Sequence, residues 1–550
     1  MRRLNALLVL CCGCACLWTG AARAQFGRGD GGWSTTGGDA QRSSWVRTDP
    51  KISKESLMKP GFALAWKLKL NNEPRQLNGL TPPPLLDRYI GIKGFRSLAF
   101  VGGSSDNIYA IDTDLGRADW QTHFTSGSPQ KESTLTCPGG MTANTARSVA
   151  AAFPSAPAAG RGGGGGGRGT PAKSAVGEPG EGGVTLAEIA ARAAAAGANN
   201  PGRGPGAGRG GAGGRRMPVV VYALSSDGML HSMYVSNGVE PEPPVAFLPA
   251  NANALGLSVI DNVAYVATTA GCGGAPNAVW ALDLSSRQVV SWKANSGGIA
   301  GAAGPAFGPD GTLYVATGDG DLVSLEAKTL KVKDVFRAGQ ELTSSPVIFQ
   351  YKDKALLAIA TKDGRIQLLD TASMKEPLAK TAPYTAATDF APGALASWQD
   401  DGGTRWILAP AAGPIAADAQ FAAANGSVTN GATVAWKVVD RNGAPALEPG
   451  WASRDMASPI TPMVLNGVIF ALASGEFRTK DSRMTAAQRA QRSTLAVLYA
   501  LDGATGKELW NSGKTIGSFV HGGGLSGGSS QIYVGTHDGT LYSFGFPIEH

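Results

Sequence analysis

Five polar residues could contribute to a binding site: His521, Asp389, Glu341, Arg454 and Asp455. Each lies shortly before a stretch with strand character, where a loop would enter a strand. His521 is the strongest candidate, because imidazole titrates near neutral pH and the adjacent Gly522-Gly-Gly524 lets a ligand approach the backbone closely. The alternative is that these residues only solvate a rim and form hydrogen bonds between structural units.

Other chemistries have no motif in this sequence. There is no Cys-x-x-Cys-His, which excludes covalent haem attachment, and no phosphate loop that would support nucleotide chemistry. His123, His231, His537 and His550 are scattered without metal-ligand spacing. We therefore assign no catalytic residue and predict no metal site.

The first 24 residues resemble a secretory signal peptide. Arg2 and Arg3 precede the apolar stretch Leu4 to Trp18, and Ala22-Arg-Ala24 is a small-x-small cleavage site. The apolar stretch is too short for a stable membrane span. The pattern predicts a periplasmic or secreted protein, with an uncleaved anchor or a lipidated cysteine as alternatives.

Cleavage would leave two of the six cysteines, Cys137 and Cys272. In an oxidising compartment an isolated pair usually forms a disulfide, so we predict one between them. Two buried free thiols are the alternative.

The formal charge of +7 is unevenly distributed along the chain. Most of the excess lies in the signal peptide and in a Gly/Ala/Arg-rich insert at 146–216, which leaves a nearly neutral body. The composition of the insert predicts disorder, because it cannot bury enough apolar surface to offset ordering. Its Arg-Gly content resembles RNA-binding tails, but a solvated loop suits an exported protein better. Nucleic acid is therefore not an expected partner.

A repeating unit of short strands and Gly-containing turns accounts for the rest of the chain. We count eight units by their third strand, and the most regular stretches repeat every 43 to 45 residues; the anchor residues are Ala110, Ser232, Ala281, Ser324, Leu369, Ala435, Ala500 and Ser543. Such a period with several strands per unit predicts an all-β fold, an eight-bladed β-propeller of four-stranded antiparallel blades.

The two wide gaps between units contain predicted loop insertions at 416–431 and 476–494. The last unit lacks a fourth strand, whereas the predicted strand from Phe62 to Leu70 precedes the first unit and belongs to none of the repeats. Pairing these two would close the ring at residues 61–550, after an N-terminal extension at 25–60. A closed ring predicts a monomer.

The turn after the third strand carries a motif that resembles the blade-docking motif of the pyrroloquinoline-quinone (PQQ) repeat propellers, Ala-x-Asp-x-x-Thr-Gly-Lys-x-x-Trp. One unit matches throughout and two match in part; the residues singled out as structural are Asp502, Gly506, Trp510, Asp112, Gly116, Trp120, Asp283 and Trp292. The resemblance implies that each Trp packs against the neighbouring blade.

That family includes both quinoprotein dehydrogenases, which hold PQQ and usually Ca²⁺ over the channel, and non-catalytic scaffolds of outer-membrane protein assembly. The alcohol-oxidising members cover the cofactor with a disulfide between two adjacent cysteines, and this chain has no Cys-Cys pair after residue 24. No set of calcium ligands and no catalytic Asp can be matched to positions of this sequence. The resemblance therefore favours a binding or assembly scaffold, with a PQQ-dependent oxidoreductase as the alternative. No cofactor is certain, and PQQ with Ca²⁺ belongs to that alternative.

Propeller topology also predicts which face binds. Connections between blades and loops between second and third strands emerge on one face, which would carry Cys137, Cys272 and both insertions. An elaborated face on a rigid scaffold is where binding is expected. We therefore expect a protein partner or a small molecule there.

Overall fold

The computed structural model describes residues 32–91, 93–125, 133–153, 219–295, 297–387, 391–479, 481 and 483–547. Two predicted features, the signal peptide and Asp389, lie outside the described residues, as does the insert from 154 to 216.

The described chain folds into eight antiparallel blades arranged in a ring, which confirms the predicted propeller. We number the blades in chain order. Blade 1 contains Leu85–Gly91, Gly94–Gly103, Asn107–Asp112 and Arg117–His123; blade 2, Val220–Leu224, Met229–Tyr234 and Val245–Ala246; blade 3, Asn253–Ile260, Val263–Thr269, Ala278–Asp283 and Val289–Lys293; blade 4, Ala306–Phe307, Leu313–Ala316, Asp321–Leu325 and Val332–Arg337.

The second half of the ring repeats this plan. Blade 5 contains Val347–Tyr351, Lys354–Ala360, Ile366–Asp370 and Ala379–Lys380; blade 6, Ala396–Gln399, Arg405–Ala412, Gly431–Arg441 and Ala444–Ala452; blade 7, Met463–Leu465, Val468–Ala473, Val497–Asp502 and Glu508–Asn511; blade 8, Ser526–Gly528, Gln531–Gly535, Thr540–Gly545 and, from the N-terminal part, Ala63–Lys69. Short additional strands are Trp45–Val46, Ser148–Val149, Ser344–Ser345, Gly393–Ala394 and Ala422–Ala423.

Helices are few among the described residues. The two α-helices are Lys54–Leu57 and Ala486–Arg492, and two single 3₁₀ turns span Cys272–Gly274 and Ala417–Ala419. The second helix lies in the predicted insertion of blade 7, and the second 3₁₀ turn lies in that of blade 6. Both insertions therefore separate second and third strands, as the spacing predicts.

Burial decreases from the ring axis outward. The second strand of blade 7, Val468–Ala473, is buried at every position, because neighbouring blades cover both faces of each sheet. The fourth strand of blade 3, Val289–Lys293, is mostly exposed. This gradient explains why middle strands are continuous apolar runs and outer strands are not.

The ring closes as predicted. Ala63–Lys69 runs antiparallel to Thr540–Gly545, with Leu68 opposite Leu541 and Trp66 opposite Ser543. The first and last parts of the chain thus share one blade, so that the outermost strand of blade 8 comes from the N-terminal part.

A tryptophan on a fourth strand contacts the turn of the next blade at three junctions. The indole Nε1 donates to a backbone carbonyl in each case: Trp66 to Thr113 O (2.7 Å), Trp120 to Val235 O (2.9 Å) and Trp451 to Gly503 O (3.0 Å). The ring lies over a glycine of that turn, which is Gly116, Gly238 and Gly506 respectively. A Cβ at any of the three would overlap the indole.

The remaining motif residues have related roles. Asp112, Asp283 and Asp502 each accept two backbone N–H bonds within their own turn. Trp510 packs edge-on against Phe62 and Phe544 of the blade 8 side, at 4.9 Å and 5.6 Å between ring centroids. Trp292 is half-buried against a cluster shared by blades 3 and 4.

The insert begins later than its composition indicates. Ala146 bridges Tyr222 in the place of the first strand of blade 2, and Ser148–Val149 pairs with the first strand of blade 3. Ala151 is buried, and its carbonyl accepts a bond from Gln41 Nε2 at 2.5 Å. Residues 146–153 therefore belong to the propeller.

The largest departure from the sequence-based picture concerns residues 33–46, which we call the inner segment. Backbone N–H groups of the first strands donate to its carbonyls around the ring: Leu85 to Trp33, Arg147 to Ser34, Phe307 to Ala40, Ile348 to Gln41, Ser397 to Ser43 and Val464 to Ser44. The free edge of a first strand faces the axis, so the inner segment occupies the channel. Residues 33–46 of the predicted N-terminal extension are thus an internal part of the fold.

Arg42 holds the middle of the inner segment in place. Its guanidinium is buried and donates to Pro305 O (2.9 Å), Gly256 O (2.9 Å) and Thr36 O (2.6 Å), and to two hydroxyls, those of Thr35 and Ser258 (3.1 and 2.8 Å). All five donors are therefore satisfied. Burial lowers the pKa of Arg42 to about 10, which keeps the side chain charged at neutral pH.

Replacing Arg42 by Met should lower the free energy of unfolding by about 3 kcal/mol or more, because buried carbonyls of three chain segments would lose their donor. Urea unfolding followed by circular dichroism measures the effect. Arg441→Met is the control, because Arg441 is exposed and pairs with Glu448 on the surface. Equal stability of the two variants would show that the inner segment does not depend on Arg42.

The contribution of Trp451 docking on Gly506 to stability can be measured separately from the cost of backbone strain. Gly506 and Gly443 both have positive φ angles, of 70° and 83°, but a Cβ at Gly506 would lie 2.3 Å from Trp451 Cε3, whereas one at Gly443 meets nothing within 4 Å. Gly443→Ala should cost about 1 kcal/mol for the backbone alone. Gly506→Ala should cost about 1–3 kcal/mol more, measured by thermal unfolding. Equal melting temperatures of the two variants would contradict the interpretation that Trp451 docks on Gly506.

Candidate functional site

A cavity of about 270 Å³ opens at one mouth of the channel. Trp33, Thr36, Gly37 and Ser44 of the inner segment form its floor. The walls come from the connections that enter the first strands, at 78–82, 135–144, 302–303, 460–462 and 521–525, from the beginning of the first strand of blade 3 at 253–256, and from Ala394. The inner segment therefore converts an open channel into a pocket with a closed end.

The cavity wall is uncharged. Of the described residues that line it, none is Asp, Glu, Lys or Arg, and His521 is the only histidine. Apolar side chains such as Leu80, Met141 and Leu255 alternate with small polar ones such as Thr142 and with glycine backbone. A pocket of this kind suits a neutral ligand with an apolar body.

His521 is oriented by a buried carboxylate. Its Nδ1 lies 3.0 Å from Glu476 Oε1, and Arg478 Nε lies 3.5 Å from the other oxygen of Glu476. Burial raises the pKa of Glu476, but the hydrogen bond to His521 and the charges of His521 and Arg478 outweigh it and place the pKa below its usual value. Within the described chain Nε2 of His521 has no bond, so this nitrogen is available to a ligand.

The other predicted candidates do not meet at this cavity. Glu341 pairs with Lys362 at 2.7 Å, and both side chains are exposed. Arg454 pairs with Glu508 at 2.6 Å and stacks on Tyr499 of blade 7. Asp455 accepts backbone bonds from the insertion loop of blade 6. These contacts agree with the alternative of hydrogen bonds between structural units, while a binding role for these residues stays a prediction.

The disulfide prediction is confirmed. Cys137 and Cys272 are bonded, with their Cα atoms 5.4 Å apart. Cys137 lies between Leu135 and Pro138 of the cavity wall, and Cys272 follows the second strand of blade 3. The bond therefore fixes the connection into blade 2 on the cavity-bearing face.

One further set of side chains resembles a catalytic triad and was not found from the sequence. Ser225 Oγ lies 2.9 Å from His231 Nε2, and His231 Nδ1 lies 2.5 Å from Glu240 Oε1. The hydroxyl of Ser225 also donates to Asp227. That bond takes the one hydrogen that a base would have to remove from a nucleophile.

The position of Ser225 has structural equivalents. Thr361 and Thr536 occupy the same place in the second-to-third-strand turns of blades 5 and 8, and each hydroxyl lies within hydrogen-bond distance of the turn Asp and of the carbonyl that follows. Ser225 makes the same two contacts, with Asp227 and Met229 O. We therefore interpret it as the hydroxyl that closes the turn.

No protein-family model matches the chain, and no curated protein sequence matches it. Solved structures do match. A quinohemoprotein alcohol dehydrogenase from Comamonas testosteroni is similar over 95% of this chain and 82% of its own, at 13% identity and a TM-score of 0.55. BamB from Moraxella catarrhalis is similar over 89% of this chain and 99% of its own, at 12% identity and a TM-score of 0.42. At 13% identity, the likeness to the dehydrogenase structure shows the propeller fold alone.

The cavity does not fit PQQ with a divalent cation. PQQ is a tricarboxylate, and burying carboxylates requires cationic or other strong donors, whereas the described wall has no Lys or Arg. A calcium ion needs several oxygen ligands including carboxylates, and the described residues contain no group of three Asp, Glu, His or Cys that could hold a metal. We therefore derive no reaction step through this cofactor.

The described part of the chain has no helix that is long and apolar enough to cross a membrane.

Removing the disulfide should destabilise the protein, because the bond spans 135 residues of chain and restricts the unfolded state. Cys137→Ser, Cys272→Ser and the double variant should each lower the free energy of unfolding by about 2–5 kcal/mol under oxidising conditions. Non-reducing peptide mapping should recover the cross-linked pair from the unaltered protein. Two free thiols there, or full stability of the double variant, would contradict this assignment.

Proposed function

We propose that the protein is an exported propeller that acts as a binding scaffold, with its binding site at the cavity-bearing face. The observation that carries this proposal is the uncharged cavity closed at its floor by the inner segment. Three further features favour docking of a partner at this face: the ring is a rigid scaffold, the disulfide lies on this face, and both insertions emerge there. The signal-like residues 1–24 support a periplasmic or secreted location.

The partner is a protein or a small molecule, and the scaffold itself is expected to be a monomer. Ring closure by Ala63–Lys69 pairs the last blade within the chain, which leaves no open junction between blades for a second copy. Nucleic acid is not an expected partner, because the body of the chain is nearly neutral.

A PQQ-dependent oxidoreductase is the competing proposal, and its support is the resemblance of the repeats. Such an enzyme would place an acidic quinone at the channel mouth and would need cationic donors there. The described cavity wall offers His521 as its single ionisable group. The donor set therefore supports the scaffold over the oxidoreductase.

Reconstitution of the full mature chain with PQQ and Ca²⁺ distinguishes the two proposals. We expect no bound chromophore after gel filtration, no rise in melting temperature and no dye reduction with alcohols or sugars. A bound quinone with turnover would refute the scaffold proposal. A purified quinoprotein dehydrogenase reconstituted in parallel shows that the cofactor preparation is active.

A further inference from the structure

Two arginines, Arg47 and Arg405, lie at the end of the channel opposite the cavity, which we call the second mouth. First strands begin at the cavity-bearing face, so first strands end, and second strands begin, at the second mouth. Trp45–Val46 runs parallel to the first strand of blade 7, with Val46 opposite Leu465 at the end of that strand, and Arg47 follows directly. Arg405 is the first residue of the second strand of blade 6.

The two guanidinium groups approach the same indole ring. The guanidinium carbon of Arg47 lies 4.4 Å from the centre of the Trp45 ring, and that of Arg405 lies 5.4 Å from it. The guanidinium of Arg405 also lies 5.6 Å from the ring of Phe349 in blade 5. Aromatic faces attract cations, but they do not accept the in-plane N–H bonds of a guanidinium. These rings therefore hold two positive charges near each other and leave the N–H donors unused.

Arg405 differs from the other buried arginines of the described chain, Arg42 and Arg96. All five donors of Arg42 are bonded, and Arg96 pairs with Asp119 at 2.5 Å. Arg405 is 5% exposed, and within the described residues it has no ion pair and one hydrogen bond, from Nη2 to Gln399 Oε1 at 3.3 Å. Because a buried guanidinium needs acceptors or a counter-charge, a partner from outside the chain would complete this one.

Donors of both arginines can be reached from solvent. The guanidinium of Arg47 has no hydrogen bond or ion pair within the described chain, and the side chain is only half-buried. None of its three nitrogens belongs to the sealed polar atoms that lack a partner, so all three are accessible. Nη1 of Arg405 is likewise unbonded and accessible, whereas its Nε is sealed. A dissolved ligand can therefore contact both groups.

The described chain does not balance the charge at the second mouth. Asp39 is the one carboxylate whose charge acts on Arg47, but its oxygens accept from the N–H and the hydroxyl of Ser43, and burial raises the pKa of Asp39. The one charge that acts on Arg405 is the like charge of Arg47. Burial, together with that repulsion, lowers the pKa of Arg405 to about 10, so it remains protonated at neutral pH.

We propose that Arg47 and Arg405 form a binding site for a phosphate group at the second mouth. A phosphate is close to a dianion at neutral pH and offers several acceptor oxygens, which matches two uncompensated guanidinium groups. Bound there, it would supply the counter-charge and the acceptors that the described chain lacks. This site lies at the other end of the channel from the uncharged cavity, and it goes beyond the proposed binding role of the cavity-bearing face.

Inorganic phosphate is the probe that tests the proposal, with chloride at equal ionic strength as the reference. In ³¹P NMR titrations of the full mature chain, phosphate should bind saturably with a Kd of about 1 mM or below. Glycerol 3-phosphate, titrated in parallel, identifies the source of the phosphate group. Tighter binding than that of inorganic phosphate would indicate an organic phosphate, and weaker binding the free ion; either result supports the site.

Arg47→Gln removes one of the two charges and should weaken phosphate binding by about tenfold or more. Arg441→Gln is the matched control, because Arg441 is an exposed arginine that pairs with Glu448 on the surface. That variant should bind phosphate like the unaltered protein. Because Arg47 is half-buried and unbonded within the described chain, its replacement should leave the circular dichroism spectrum unchanged.

Arg405→Met provides a second measurement, because it keeps an apolar side chain between the rings and removes the buried charge. It should also weaken phosphate binding by about tenfold or more. Without phosphate it should melt within about 2 °C of the unaltered protein, because the described chain gives this charge no counter-ion whose loss would destabilise the fold. A much lower melting temperature would show that the chain itself stabilises Arg405 and would contradict the inference.

Two further results would overturn the inference: no saturable binding of phosphate, or equal binding by Arg47→Gln and Arg441→Gln. None of these results bears on the proposed scaffold role, which depends on the quinone reconstitution. Turnover with PQQ would refute that role even if phosphate binds at the second mouth.

Discussion

The propeller depends on the hydrogen bonds between the inner segment and the free edges of the first strands. First strands face the axis of the ring with one unpaired edge each, and unpaired backbone groups in a narrow channel are costly unless water or chain satisfies them. The inner segment supplies carbonyls to six of the eight blades, and Arg42 bonds its turn to blades 3 and 4. The same stretch of chain then leads to Ala63–Lys69, the outer strand of blade 8. The N-terminal part thus stabilises the ring both at the axis and at its closing junction.

This arrangement also determines the character of the candidate site. A channel mouth can be lined by any side chain that the entering connections provide, and here those are small, apolar or glycine. The inner segment adds a floor with Trp33 and no charged side chain facing the cavity. The result is an uncharged pocket whose one histidine, His521, is held by the carboxylate of Glu476. Such a pocket suits neutral recognition better than an acidic quinone or a metal ion.

Local chemistry explains how much of the fold could be predicted from sequence. The Asp-Gly turns and the Asp502 motif repeat because every blade needs the same tight turns between consecutive strands. The predicted blade count and ring closure, which depend on these repeats, were therefore correct. The disulfide was predicted because only two cysteines, Cys137 and Cys272, follow the predicted cleavage site, and the structure confirms it. By contrast, the inner segment carries no repeat, and its partners lie up to about four hundred residues away in sequence. Glu476 was missed for the same reason, because no sequence pattern connects it to His521, which lies 45 residues further along the chain. Trp451 was missed because it does not lie at the spacing of the repeat motif.

Hydrogen–deuterium exchange of the peptide that covers residues 33–46 tests the central claim most directly. Its amides bond within the segment, as Ser44 N–H does to Gly37 O, and its buried residues exclude solvent. We predict exchange as slow as that of the middle strand Val468–Ala473, because both should open only with the whole ring. Exchange within seconds, as in an unstructured tail, would contradict the closed channel and the cavity built on it.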